Sequence, residues 1–327
     1  MFEMLIILIS GFIASFLSMP VIIGEMRKVR IVGIDVHKKD RPLIPEMGGI
    51  ALLIGLTISI LAAVVLMPQK LNLLLSFLAT VLIAGIVGAI DDLKTLNAKI
   101  KPLLTSFACI PILVMRTYNT YPVLPLIGRT RLTLVYPLLI PFAIAVPSNA
   151  VNMMDPFNGT MSGTTLIITI ILMASALILN RSEALILCIS LIGPLLAFYY
   201  FNRYPSKVFS GDVGSLSIGA ALGAIAVLGQ LEAVAIVAFM PQIMNAFYGL
   251  ATIGKLYERR EVPRPITVLD DGRLMANADP KAPITLARFV LARGPLYECE
   301  AIRLFYAVSL ISGVLALFTA YLTMVTL

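Results

Sequence analysis

Hydrophobic runs separated by short polar breaks recur along the whole chain, and each comes close to the roughly 20 residues that cross a bilayer as a helix. Taken in order, they predict about ten spans: 4–23, 47–67, 72–90, 102–116, 132–148, 162–179, 184–201, 214–231, 233–252 and 302–326. The fourth is short. The fifth carries Pro137, Pro141 and Pro147, which predicts a kink or local break. The pattern gives an all-α, polytopic membrane protein, read as one domain over residues 1–327 with a long loop at 253–301. No internal repeat, low-complexity tract or separate soluble domain is visible in it.

Composition agrees with the pattern. Hydrophobic residues make up 59% of the chain and charged residues 13%, where a soluble domain carries about 25% charged. The first run lacks a basic start and a small-residue cleavage site, so it reads as a retained helix and not a removable signal. The net charge of +7 matters less than where the charge falls. If the breaks alternate sides, one side holds 24–46, 91–101, 149–161, 202–213, 253–301 and Arg303. That side takes 20 of the 25 Lys and Arg residues, leaving only Lys70, Arg116, Arg129, Arg131 and Arg181 on the other. The positive-inside rule makes the first side cytoplasmic and, with an even number of spans, puts both termini outside. The basic balance thus reports topology, and no nucleic-acid partner is implied. All acidic residues except Glu3, Glu183 and Glu232 fall on the same side, so the active face is expected on cytoplasmic loops of an integral cell-membrane protein (an ER-membrane protein in a eukaryote).

Five polar clusters stand out on that side. Asp91-Asp92 closes an apolar run, with Lys94, Lys99 and Lys101 following; this is either a solvated helix end with local ion pairs or a charged site. Residues 149–159 hold Asn149, Asn152, Asp155 and Asn158, with Asn149 and Asn152 spaced to share a helix face. They suit a capped polar turn, or hard oxygen ligands beside a polar head group. Asp212, between Gly211 and Gly214, is a natural N-cap, or a metal ligand beside a phosphate. A long basic loop contains Arg259, Arg260 and Arg264, and guanidinium suits phosphate. The stretch from Gly33 to Gly49 reads as a juxtamembrane basic segment in which His37, the single histidine, is incidental. One histidine excludes a multi-histidine metal centre. Three widely spaced cysteines argue against a disulfide framework or a zinc site. Neither a P-loop nor a GxGxxG fingerprint is present, and Asp271-Gly272 lacks the later aspartates of a CDP-alcohol phosphotransferase.

In this order the clusters resemble the polyprenyl-phosphate N-acetylhexosamine-1-phosphate transferase family, over essentially the whole chain. Gly33, Asp35 and Lys38 with Ile44-Pro45-Glu46 match one motif, and Asp91, Asp92 and Lys101 a second. The stretch from Asn149 to Gly159 matches a third, and Val208 to Asp212 a fourth. Ile44-Pro45-Glu46 and the late Gly294-Pro295-Leu296-Tyr297-Glu298 look like the eukaryotic and archaeal branch, which makes dolichyl-diphospho-GlcNAc. Two departures stand out. Where that branch has Pro-Arg-His-Arg, Pro263-Arg264 is followed here by Pro265-Ile266, leaving Arg259, Arg260 and Arg273 as replacements for the second arginine. Tyr297 also stands where the human-type sequence has histidine.

The resemblance implies transfer of an amino-sugar phosphate from a UDP-sugar to a polyprenyl or dolichyl phosphate, with UMP released. It implies Mg²⁺, with Mn²⁺ as an alternative, held by Asn152 and Asp212. It assigns a diphosphate contact to Lys101, uracil contacts to Phe209 and Asn158, and a sugar-side contact to Glu46. Arg264 becomes a phosphate contact, Asn149 a support of the substrate site, and Asp91 and Asp92 a catalytic pair acting by positioning or as base. The expected partners are the UDP-amino sugar, the lipid phosphate and membrane lipids; the oligomeric state, a homodimer included, is left open. The rival readings are a transporter, whose signature would be inverted repeats and mid-membrane charge, and a catalytically altered family member that binds without turnover.

Overall fold

The computed structural model describes residues 2–257 and 261–326, so Arg259 and Arg260 lie outside the described residues. The helices in chain order are α1 (Phe2–Lys28), α2 (Gly49–Leu66), α3 (Leu71–Leu93), α4 (Ile100–Ser106), α5 (Ile110–Met115), α6 (Val135–Met153) and α7 (Thr160–Ile178). They continue as α8 (Ser182–Asn202), α9 (Gly211–Leu228), α10 (Glu232–Ala238), α11 (Met240–Ile253), α12 (Leu286–Val290) and α13 (Glu298–Val325). Among the described residues, sheet is confined to three short antiparallel pairs, β1 (Val32–Ile34) with β2 (Leu43–Pro45), β3 (Val123–Leu124) with β4 (Gly128–Arg129), and β5 (Ile266–Val268) with β6 (Leu274–Ala276).

Among the described residues eight helices are long and apolar enough to cross a membrane, and the bent pair α10–α11 would make a ninth. The expected ten full spans are not all present as such, for two local reasons. The fourth predicted span is the short apolar stretch Ile100–Met115, broken into α4 and α5 by a 3₁₀ turn before Pro111. It still carries the chain from Lys101, which meets Asp91, to Thr117, which bonds Ser76 near the opposite end of α3. The ninth bends by 63° between Ala238 and Met240. There Pro241 enters at the start of α11, where its missing N–H costs nothing. α11 is then anchored by Asn245, whose Nδ2 donates to the Met153 carbonyl (3.0 Å) and whose Oδ1 accepts from Leu286 N (2.8 Å).

The fifth predicted span departs from expectation in the other direction. α6 runs unbroken through Pro141 and Pro147 and extends to Met153, so Asn149 and Asn152 lie on its last turns and not in a loop. Their separation of three residues, close to one helical turn, keeps both amides at the same end of the bundle.

α9 is the central helix, buried almost throughout, and packs against α3, α6, α2 and α8. Its small residues allow this, as in membrane bundles generally. A methyl group on Gly219 or Gly223 would meet the backbone of α6, and one on Gly88 of α3 would meet the Asp212 carbonyl. These contacts set three helices at backbone distance, and the polar residues sit at their shared end. Around the bundle, large apolar side chains of α1, α6 and α13 face outward, such as Leu17, Leu138, Phe142, Ile311, Val314 and Phe318. A belt of this extent is what lipid would cover. A smaller apolar cluster, from Phe157, Ile266, Leu274, Leu291 and Phe305 among others, seats the loop after α11 against the start of α13.

Candidate active site

The five polar breaks that the charge pattern grouped together do meet at one end of the bundle. Backbone bonds stitch two of them: Phe209 N donates to the Pro45 carbonyl (2.8 Å), Gly48 N to Phe209 (2.9 Å) and Gly49 N to Ser210 (3.0 Å). This pairing fixes the entry into α9 and with it Asp212.

The adjacent acids at the end of α3 turn to different tasks. The first N–H groups of any helix lack partners within it, and Ser210, in the N-cap position of α9, makes no capping bond. Asp92 supplies the cap from the neighbouring helix, its Oδ1 accepting from Asp212 N (2.7 Å) and its Oδ2 from Val213 N (3.0 Å). Gly211 is required here, because it adopts φ +65° and a side chain would run into the Asp92 carboxylate. Asp212 is therefore not its own helix cap, the ordinary use open to it from sequence; another aspartate takes that place. Asp92→Ala is expected to lower stability by about 0.5–2 kcal/mol, and Asp92→Asn, which keeps one acceptor, by less. Thermal unfolding in detergent checks this, and equal losses in the two variants would show that charge and not the paired acceptors holds the helix end.

Asp91 folds the following segment back. One oxygen accepts from Leu96 N (2.5 Å) and the other meets the Lys101 ammonium. Lys101 enters from the first turn of α4 and also reaches Asp212 Oδ2 at 2.5 Å. On the far side of Asp212, Asn152 Nδ2 donates to Oδ1 (2.6 Å) and to Ser215 Oγ (2.9 Å). Asp91, Lys101, Asp212 and Asn152 thus form one chain of contacts drawn from α3, α4, α9 and α6. Among the described residues two carboxylates, Asp91 and Asp212, share the Lys101 ammonium, and a third, Asp92, lies alongside, against the start of α9. Such crowding at the edge of an apolar bundle is unfavourable without a further positive charge. Asp212 is the more accessible of the two acids bound to Lys101, its side chain 26% exposed against 5% for Asp91.

The other expected site residues are distributed around this cluster. Asn149 Nδ2 bonds Thr105 Oγ1 (3.0 Å) and the Ala145 carbonyl (2.8 Å), tying α6 to α4 behind Lys101. Glu46 and Phe209 are both half-buried on the stitched segments, close to Gly33. Asn158 is buried and spoken for: Nδ2 donates to Asp35 Oδ2 and its backbone N to Glu298 Oε1, both at 3.0 Å. Asp155 accepts from Ser210 Oγ (2.7 Å) and holds the turn after α6 against the start of α9. Arg264 is exposed and lines a cavity of about 230 Å³ with His37, Arg41 and the β5 residues. Arg273, one available replacement for the second arginine, is tied to its neighbour Asp271 in an exposed turn (2.6 Å).

Four residues of this arrangement were not singled out as site residues from sequence. Ser215 sits one turn after Asp212 on the same face of α9, a spacing that would have flagged it. Thr105 carries no such signal, because its partner lies 44 residues away. Asp35 and Glu298 belonged to quoted motifs but had no role assigned. Asp35 is buried; desolvation would raise its pKa, but hydrogen bonds from Lys38 and Asn158 outweigh that and hold it below the usual carboxylate value, so it stays ionised.

Residues 74–230 match the family model described as glycosyl transferase family 4. The chain is 28% identical to a protein of Saccharolobus solfataricus, over 98% of this chain and 97% of that one. That protein carries the provisional name UDP-N-acetylglucosamine–dolichyl-phosphate N-acetylglucosaminephosphotransferase. A Sulfolobus acidocaldarius protein of the same provisional name is 26% identical over 95% and 94% of the two chains. A phospho-N-acetylmuramoyl-pentapeptide-transferase of Wolbachia pipientis is 33% identical over 68% of this chain and 74% of its own.

Proposed function

The chain belongs to glycosyl transferase family 4, and we propose on that basis that it transfers N-acetylglucosamine-1-phosphate from UDP-N-acetylglucosamine to a polyprenyl or dolichyl phosphate. An oxygen of the lipid phosphate attacks the β-phosphorus, a new P–O bond forms, and the bond to the bridging oxygen breaks as UMP leaves. The near full-length archaeal relatives support the sugar and the acceptor class. The observation that carries the reading is the chain Asp91–Lys101–Asp212–Asn152 at the polar end of an apolar bundle. A lipid acceptor keeps its tail in the bilayer and brings its phosphate to that end.

The donor set fits a hard divalent cation such as Mg²⁺. Asp212 offers carboxylate oxygens and Asn152 an amide whose oxygen and nitrogen exchange places by a simple flip, so the bond drawn from Nδ2 can become a ligand from Oδ1. When bound, such a cation would shield the phosphoryl oxygens as charge builds on them. The protein's own share is positional. Lys101 presents a charge to the diphosphate, Asp91 aims Lys101, Asp92 fixes the start of α9, and Asn149 steadies α4 against α6. A lipid phosphate already ionised near neutral pH needs little general-base help, so neither aspartate of the pair is assigned that role. The one-sided charge pattern supports a cytoplasmic active face with both termini outside.

Purified protein incubated with UDP-N-acetylglucosamine, a short polyprenyl phosphate and Mg²⁺ is expected to yield lipid-diphospho-GlcNAc and UMP, seen by chromatography and mass spectrometry. Binding of both substrates without product would point to the catalytically altered reading. Turnover with another UDP-amino sugar alone would change the donor.

A further inference from the structure

The second polar cluster at this end of the bundle has no part in the transfer as described. Asp35 and His37 follow β1, and Glu298 begins α13; one ligand atom of each lies within 4.8 Å of the other two. Asp35 and Glu298 are 3% and 5% exposed. Asn158 links the carboxylates, and Lys38 Nζ reaches Asp35 Oδ2 at 2.5 Å. His37 is held in orientation by Phe157, ring edge to face at 5.1 Å, and Phe157 by Phe305 in turn.

The telling atom is Glu298 Oε2. It is buried and has no hydrogen-bond partner among the described residues, while Oε1 accepts from Asn158 N. A carboxylate oxygen in that position costs free energy unless something positive or protic meets it. Ligand atoms bound at roughly 2.0–2.2 Å to one ion lie about 3.3 to 4.4 Å apart, so small side-chain rotations close this triad. An imidazole nitrogen with two carboxylates selects borderline transition ions over Mg²⁺ or Ca²⁺.

We propose that Asp35, His37 and Glu298 form a binding site for a divalent transition-metal ion of the Zn²⁺ class, separate from the Asp91–Asp212 cluster. The ion clasps three segments distant in sequence: the β1–β2 connection, the start of α13 and, through Asn158, the turn after α6. Its role is structural, holding the turn that follows the helix bearing Asn152. The site stands apart from the transferase reading, since no step of the transfer depends on it.

The test uses the full chain in detergent, stripped with a chelator, equilibrated with Zn²⁺ or Co²⁺ and freed of excess metal. Mass spectrometry is expected to find one retained Zn²⁺ per chain in the wild type and in Asp212→Ala, and none in His37→Ala or Glu298→Gln. Zn²⁺ should raise the melting temperature of the wild type by several degrees and leave those two variants unmoved. Co²⁺ absorption bands should follow the same division. His37 is half-buried, so His37→Ala is the variant that tests the site with the least risk to the fold, and circular dichroism verifies that it remains helical. A wild type that retains no zinc overturns the proposal, as does retention in a folded His37→Ala. Loss of zinc in Asp212→Ala would overturn the separation of the two clusters. Because the readout is bound metal, a failed transferase assay leaves this result intact.

Discussion

Asp212→Ala is expected to reduce UMP release from UDP-N-acetylglucosamine by about 10²–10³-fold, the scale on which removal of one preorganised electrostatic group slows an acyl-transfer enzyme. The carboxylate meets Lys101 on one side and Asn152 on the other, so its loss takes away the group through which the charged ends of four helices communicate. kcat and kcat/KM should fall together, because the group acts on charge that develops during transfer more than on the bound donor. Stability should change little. The variant removes one of three crowded carboxylates, Lys101 keeps its pair with Asp91, and the start of α9 keeps its cap from Asp92. The measurement is turnover at saturating donor and Mg²⁺, paired with a melting curve. Turnover within tenfold of wild type would take Asp212 out of the metal and phosphate machinery. A collapse in melting temperature would make it a structural residue.

How much of this was legible beforehand differs between the fold and the site. Helix existence followed from apolar run length, because a bilayer demands that every backbone group be satisfied within the helix. Helix integrity did not follow. Pro141 and Pro147 sit inside an unbroken α6, whereas the chain bends at residue 239, beside Pro241. The difference lies in what packs nearby: α6 is pressed backbone to backbone against Gly219 and Gly223 of α9, and such neighbours can hold a helix through a proline. Run length also hides breaks, as at Ile100–Met115. In the site, one-sidedness of charge brought the correct segments together, but not the division of labour within them. Asp91 and Asp92 look equivalent in sequence, yet one meets Lys101 and the other caps α9. That distinction arises from helical rotation at the end of α3, which no local pattern encodes. His37 looked incidental for the same reason: its neighbours Glu298 and Phe157 are far away in the chain.

The single ammonium among the acids makes the second large effect. Lys101→Met keeps the length and apolar stem of the side chain and removes only its charge. Lys101 is 14% exposed and sits between carboxylates of α3 and α9. Breaking a largely buried pair from one side leaves an uncompensated charge, at a cost of about 3–5 kcal/mol. Lys101→Met is therefore expected to lose both stability and turnover, which alone would not separate a counter-ion from a phosphate contact. The double variant Lys101→Met/Asp91→Asn does separate them. Neutralising Asp91 relieves the excess charge, so about 0.5–3 kcal/mol of stability should return as coupling between the two sites. Turnover should stay at least about tenfold below that of Asp91→Asn alone, because the diphosphate still lacks its positive partner, a deficit of about 1.4 kcal/mol in the barrier. Recovery of turnover to the level of Asp91→Asn would make Lys101 a counter-ion that holds two helices together. Continued loss in a protein that melts normally places its charge on the substrate.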